Sequence, residues 1–292
     1  MESVAGWSQD IFLVDSDSTD QTVEIAREFT DKIYNHTYVD HASQLLWAFE
    51  NLPFQNEWVL FLDADNVVSD ELKREIDTRL ENDDPSINGY YCIHREIFRD
   101  KPVRGVKKWW ARLVRHTHSR VDNSELVDYG IEIEGTVGYI AAPIIEDNVK
   151  ERDIDFWIDK HQRFARRMAA EEVLRRGGYV RWTVEPKFFG TSDQRRVWLK
   201  NHWMNMPLFV RPFIYWFYRY FLTGCFLQGR HGLTYTVFQS LWFRLVCDIW
   251  VQELLRRIEA NETSYETLME TFGTKKTDGD IVGRRDAATG KI

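Results

Sequence analysis

The apolar run Trp58-Val59-Leu60-Phe61-Leu62 passes directly into Asp63-Ala64-Asp65, and this junction constrains the chain more than any other. Five apolar residues without alternation fit a strand covered on both faces, the place strands take in a parallel sheet. The carboxyl ends of such strands are where open α/β sheets hold their ligands. Two acids there, beside Asn66, suit a hard divalent cation and the phosphate oxygens it carries. A second junction repeats the chemistry: Ile11-Phe12-Leu13-Val14 runs into Asp15-Ser16-Asp17-Ser18-Thr19-Asp20. Two acidic strand ends point to an enzyme that handles a nucleoside diphosphate.

The pattern up to about Arg99 supports this placement. Helices are expected over 20–29, 41–51 and 70–80, with Ser69 as cap of the last, and further strands near 33–34 and over 88–98. Strands alternating with helices imply βαβ units and a mostly parallel sheet. A later strand over 136–142 ends before Pro143, and a long amphipathic helix over 153–176 ends at Gly177-Gly178. The formal net charge of −8 argues against a general nucleic-acid binder. Yet Arg95, Arg99, Lys101, Arg104, Lys107, Lys108, Arg112, Arg115 and Arg120 face only Glu96 and Asp100 between residues 94 and 120, a local excess that would attract phosphates. Cys92, Cys225 and Cys247 are scattered, which fits reduced thiols and argues against a zinc site. The amino terminus shows no secretory pattern.

Of two other readings of the acidic loops, the first fails on spacing and the second stays as a less favoured alternative function. Asp15, Asp17 and Thr19 start like an EF-hand, but Asp20 holds its glycine slot and Ala26 its terminal glutamate slot. Asp63-Ala64-Asp65-Asn66-Val67 also resembles the nucleophile motif of haloacid-dehalogenase phosphatases, which usually stands near the start of a chain rather than after two βαβ-like units.

Taken together, residues 14–22 and 61–65 resemble the second-strand loop and the DxD motif of the family 2 glycosyltransferases, with Asp17 where that family usually has glycine. The resemblance implies an α/β fold of the nucleotide-binding GT-A type over residues 1–150. It also implies a helical acceptor and membrane-associating region over 151–257, and leaves 258–292 as a flexible tail. It places Asp15, Asp17, Asp63 and Asp65 at the nucleotide sugar. Asp65, with Asp63, would hold Mg²⁺ or Mn²⁺ at the diphosphate. An inverting displacement needs a carboxylate to take the acceptor hydroxyl's proton. By the same resemblance that base is Glu125, with Asp122 and Asp128 as rivals.

Trp157-Ile158-Asp159-Lys160-His161-Gln162-Arg163-Phe164-Ala165, residues 207–213 and residues 226–232 resemble bacterial glycosyltransferases of lipopolysaccharide core and exopolysaccharide assembly. Lys160 and His161 are candidates to face an acceptor phosphate, with helix packing the more natural task for His161. Residues 194–198 only approach the QxxRW motif of processive synthases, because Val197 replaces an arginine. Aromatics interleaved with Arg211, Arg219, Arg230 and Arg244 over 207–255 suit helices lying in a membrane interface. The implied partners are a nucleotide-diphosphate sugar and a lipid-linked or lipopolysaccharide-type acceptor, met at the cytoplasmic face of the plasma membrane.

Two departures stand out. The family's first strand, with its PTxNE-like loop, has no counterpart here, and by the family's strand order it would lie between the strands at 11–14 and 58–62. Either the true start lies upstream or the neighbours close up and the donor site is impaired, leaving a membrane-attached scaffold as the alternative function. Glu146 also stands where the resemblance leads one to expect histidine.

Overall fold

The computed structural model describes residues 1–105, 107–122, 125–127 and 130–273. Two short βα units come first: β1 (Leu13–Asp15), α1 (Thr22–Ala26), β2 (Ile33–Asn35) and α2 (His41–Asn51). β1 and β2 pair in parallel, with Asp15 opposite Asn35. The carboxylate of Asp40 caps α2 by accepting from the Ser43 amide at 2.7 Å, and the helix stops before Pro53 as its sequence predicts. Next come β3 (Trp58–Leu60), β4 (Asn66–Val68), α3 (Asp70–Glu81), β5 (Ile87–Phe98) and the short β6 (Lys101–Pro102). Ser69 caps α3, accepting from the Leu72 amide at 3.2 Å. β7 (Lys108–Arg115), β8 (Ser119–Asp122), β9 (Gly130–Ile133) and β10 (Thr136–Glu146) complete the strands.

The main sheet runs β3-β7-β5-β10-β4, with β6 beside the end of β5. Only β5 and β10 are parallel within it; β3–β7, β7–β5 and β10–β4 are antiparallel. The expectation of a mostly parallel sheet is therefore corrected to a mixed and mostly antiparallel one. A parallel neighbour needs a long crossover, usually a helix. β5 returns to β7 without any helix, so the two pair antiparallel. β10 also runs past Pro143, which sits where its ladder with β5 shifts register between Ile140 and Ile144. A residue without an amide hydrogen is tolerated at such an irregularity.

Both faces of the sheet are covered. Leu72 and Ile76 of α3 pack on Tyr90, Cys92, Leu113, Ile140 and Ile144, while Leu45 and Phe49 of α2 and Ile131 of β9 pack on Tyr91, Ala111 and Val114. Among the described residues β1 pairs with β2 and β3 with β7, and no hydrogen-bonded strand joins β1 to β3. Side chains span that slot instead. Phe54 stands edge-on to Phe12 at 5.5 Å and to Phe61 at 6.5 Å.

The rest is helical: α4 (Ile154–Arg176), α5 (Ser192–Asn205), α6 (Arg211–Phe217), α7 (Gly229–Thr236), α8 (Phe243–Glu259) and α9 (Tyr265–Phe272). α6 widens into a π-turn at Tyr218–Leu222, and a second π-segment, Val237–Trp242, joins α7 to α8. α4 packs on α8, with Ala165 against Phe243 and Cys247, and Val173 and Leu174 near Val251 and Leu254. Gly178, at φ +78°, lets the chain leave α4. α9 corrects the start of the expected tail. Leu268 is buried against α4 and α8, with Tyr265, Met269 and Phe272 beside it, so ordered chain continues to 273. Residues 274–292 lie outside the described residues.

Candidate functional site

The first acidic loop is a scaffolded turn. Asp15, at the end of β1, is buried, and its Oδ2 accepts from the Ser18 amide at 3.0 Å. Asp17 has φ +58°, the left-handed region that normally favours glycine. Its side chain compensates: Asn35 Nδ2 and Thr37 Oγ1 each donate to it at 2.8 Å. These hydrogen bonds hold the Asp17 carboxyl below its ordinary range. Asp17 thus ties the β1 loop to β2, which accounts for an aspartate where the resembling family has glycine.

The second loop gathers charge. The Asn66 amide donates to Asp63 O at 2.9 Å and the Asp63 amide to Asn66 Oδ1 at 3.2 Å, closing a turn that presents both acids. Arg112, buried in β7, donates to Asp63 Oδ2 at 2.7 Å and to His94 Nε2 at 3.3 Å. An accepting Nε2 leaves the imidazole proton on Nδ1, and Nδ1 lies 3.7 Å from Glu146 Oε2. Asp65 accepts from Asn66 Nδ2 at 3.0 Å and from Asn148 Nδ2 at 3.3 Å. Burial, and then the charges of Glu146 and Asp63, push its carboxyl above the ordinary range, while Lys160 of α4 pulls it down. Tyr38 joins this group electrically, its phenol raised by burial and sensing Arg167, Asp40 and Asp63.

Asp63 and Glu146 therefore both stand close enough to Asp65 to repel it, with Arg112 and Lys160 among them. Among the described residues no group of three or more His, Cys, Asp or Glu forms a closed metal cage. A Mg²⁺-type ion needs no such cage, since it uses one or two carboxylates with water and the substrate's phosphates. Asp65 fits that role chemically, because a cation would relieve the repulsion its raised carboxyl records. Asp63 fits less completely, having one oxygen committed to Arg112.

Glu125 sits among other partners. It is 2% exposed, salt-bridged to Lys200, and 3.5 Å from Arg196 Nη2, both on α5. Its Oε1 has no hydrogen-bond partner among the described residues. Of its rivals, Asp122 accepts from Thr183 Oγ1 at 2.6 Å, and Asp128 lies outside the described residues. The near-QxxRW segment falls here. Gln194 closes a capping box with Thr191, and Arg196 lies over the Trp110 ring at 4.5 Å. His161 is structural: buried, its Nδ1 2.9 Å from Trp157 O, and lowered by burial to about 4.

Arg112, His94, Asn148, Arg167 and Tyr38 join the site although no motif in the sequence marks them. Arg112 carried a usable signal, an arginine inside the apolar run Trp109-Trp110-Ala111-Arg112-Leu113-Val114, because buried charges are rarely unpaired. The others come from β5, the loop before α2, α4 and the far end of β10, and only the fold collects them.

The domain is thus a mixed α/β sheet with carboxylates in the loops at its strand ends, bordered by cations. Residues 2–135 match the model of glycosyl transferase family 2, a span that holds both acidic loops and Glu125. Over that span the chain is similar to the family 2 glycosyltransferases, and the fold is consistent with the GT-A type. It is 38% identical over 77 residues to an uncharacterized glycosyltransferase of Rickettsia conorii, covering 26% of this chain and 27% of that one. Counterparts in Rickettsia bellii and Rickettsia typhi are each 34% identical over 77 residues, 26% of either chain. The chain spans about a quarter of the length of these curated relatives.

Proposed function

We propose that the protein is an inverting GT-A glycosyltransferase that moves a sugar from a nucleotide-diphosphate donor to a lipid-linked or surface-polysaccharide acceptor. In this reading it works at the cytoplasmic face of the plasma membrane. The observation that carries the reading is the placement of Asp65, held by Asn66 and Asn148 beside Asp63 in the turn after β3; burial and the neighbouring charges of Glu146 and Asp63 push its carboxyl up. Asp65, with Asp63, would hold Mg²⁺ or Mn²⁺, which when bound neutralises charge developing on the leaving diphosphate. Arg112 fixes Asp63 in place, and Lys160 adds a cation on the same side. The buried Asp15 loop presents its carboxylate toward the nucleoside. Glu125 is the base for the acceptor hydroxyl. Lys200 is salt-bridged to its Oε2, and its Oε1, which lacks a hydrogen bond and faces Arg196 at 3.5 Å, is the atom that would take the proton.

Calorimetric titration with UDP- and GDP-sugars in the presence of Mn²⁺ tests the donor side, and transfer assays of Glu125→Gln test the base. The expected result is donor binding by both proteins, with transfer reduced about 10²–10⁴-fold in the variant. Absence of donor binding by the folded chain would instead favour a membrane-attached scaffold. Transfer retained by Glu125→Gln would remove Glu125 from the chemistry.

A further inference from the structure

In a chain of net charge −8, no aspartate or glutamate occurs from Gln194 to Cys247. The same stretch carries the largest run of uncovered apolar side chains. Phe213, Ile214, Phe217 and Tyr218 are about half exposed, Leu222 is 70% exposed and Leu227 78%. Ring contacts of 4.9 Å between Phe217 and Phe221 and 6.3 Å between Phe221 and Phe226 join them into one ridge. Apolar patches of that extent on a folded surface mark a place of contact.

Cations are fastened to this ridge. The loop after β5 carries Arg99, Lys101, Arg104 and Lys107, all exposed, and its one acid, Asp100, is paired to Arg152 at 3.0 Å. Gln228 clamps the loop, accepting from the Arg104 amide and donating to Pro102 O, each at 2.9 Å. The Cys225 thiol donates to Arg104 O at 3.0 Å. Gly105, at φ +91°, allows the contact, because a Cβ there would fall 2.1 Å from Thr223 O. Arg230, exposed at the start of α7, adds a cation from the helical side. The basic excess of residues 94–120 thus divides. Arg112, Arg115, Lys108 and Arg120 are used in ion pairs, and the loop cations are delivered to the apolar ridge.

We propose that this ridge and loop form one docking surface for a bilayer bearing anionic headgroups. The inference rests on the reading of a membrane-borne acceptor and names the surface and the lipid charge which that reading requires. Leu222, Leu227 and the ring edges enter the headgroup boundary, and the loop cations meet lipid phosphates. No helix of the described residues is long and apolar enough to cross a membrane; an interfacial helix needs only one apolar face. Each cation near an anionic surface adds roughly fivefold to partitioning at moderate salt, and that part fades as the Debye length shrinks.

The test is sedimentation of the full chain with phosphatidylcholine vesicles, with and without phosphatidylglycerol. Four proteins are compared, each checked by circular dichroism: wild type, Leu222→Ser/Leu227→Ser, Lys101→Ser/Arg104→Ser and Leu227→Ser. Leu227→Ser alone serves as the milder apolar variant. Wild type is expected to bind phosphatidylglycerol vesicles at least tenfold more tightly than the zwitterionic ones. The apolar variant should lose at least tenfold on both, and the charge variant should lose the preference. Wild type that ignores both vesicles, or variants that bind like wild type, overturns the proposal. So does a dimer in light scattering that the apolar variant dissolves while no vesicle is bound. Donor titration in the same samples separates the two readings: lost vesicle binding with intact donor binding removes this surface alone.

Discussion

Asp65 and Arg211 are both charged and both withdrawn from solvent, and their surroundings treat them in opposite ways. Arg211, at the start of α6, is fully buried, and all five of its N–H groups are used. Asp248 accepts from Nε and Nη2 at 2.8 and 2.6 Å, Glu172 from Nη1 and Nη2 at 3.0 and 2.9 Å, and Trp203 O from Nη1 at 3.0 Å. Asp248 also fixes the Phe209 amide at 2.7 Å, where the backbone takes φ +64°. Asp65, by contrast, has two amide donors and two like-charged neighbours. The Arg211 network completes its charges internally, whereas the strand-end loop leaves negative charge in excess. Excess of that kind is retained where a ligand supplies the missing cation.

The largest effect expected from this contrast is at Arg211. Arg211→Met strands Glu172 and Asp248 in the interior and should cost about 3–5 kcal/mol in urea unfolding. Adding Glu172→Gln and Asp248→Asn should recover at least half, since neutral groups are cheaper to bury. A loss below about 1 kcal/mol in the single variant would mean that the network is not holding α6 to α4 and α8.

A smaller effect separates His161 from the site with which the sequence associated it. Its imidazole titrates near 4 in the fold against 6.5 when free. Between those values the unfolded chain accepts a proton that the folded chain refuses, so this contribution to stability is complete above pH 6.5 and is lost as pH falls. At pH 5 the loss is about 2 kcal/mol. His161→Gln should remove that part of the acid dependence when unfolding is compared at pH 7 and pH 5. An unchanged pH dependence would return His161 to the list of groups that face the acceptor.

The comparison also shows where sequence reasoning reaches. The strand before Asp63 was legible in its place but not in its setting: β3 covers only Trp58–Leu60, lies at the edge of the main sheet antiparallel to β7, and is partly rather than fully buried, because apolar runs report burial need and not sheet order. The cap at Ser69 was legible because capping is local chemistry. Sheet direction was not, because it depends on whether a helix intervenes between β5 and β7, and the residues from Trp109 onward lack a clean period. Arg112, His94, Glu146 and Asn148 converge on the acidic turn only after β7, β5 and β10 have registered. α9 was hidden by the Thr, Gly, Lys and Asp that follow it, although Tyr265, Leu268, Met269 and Phe272 have the spacing of one helical face.

The most direct test of the strand-end account is the melting of wild type and Asp65→Asn, each alone and with Mn²⁺ plus UDP. Removing one of three repelling charges should leave the variant alone as stable as wild type, or up to about 1 kcal/mol more stable. The ligand-induced rise seen for wild type should disappear, corresponding to a 10–100-fold weaker site. A variant that is destabilised alone yet keeps the full ligand-induced rise would contradict the account, because Asp65 would then be a structural carboxylate and the cation would be held elsewhere.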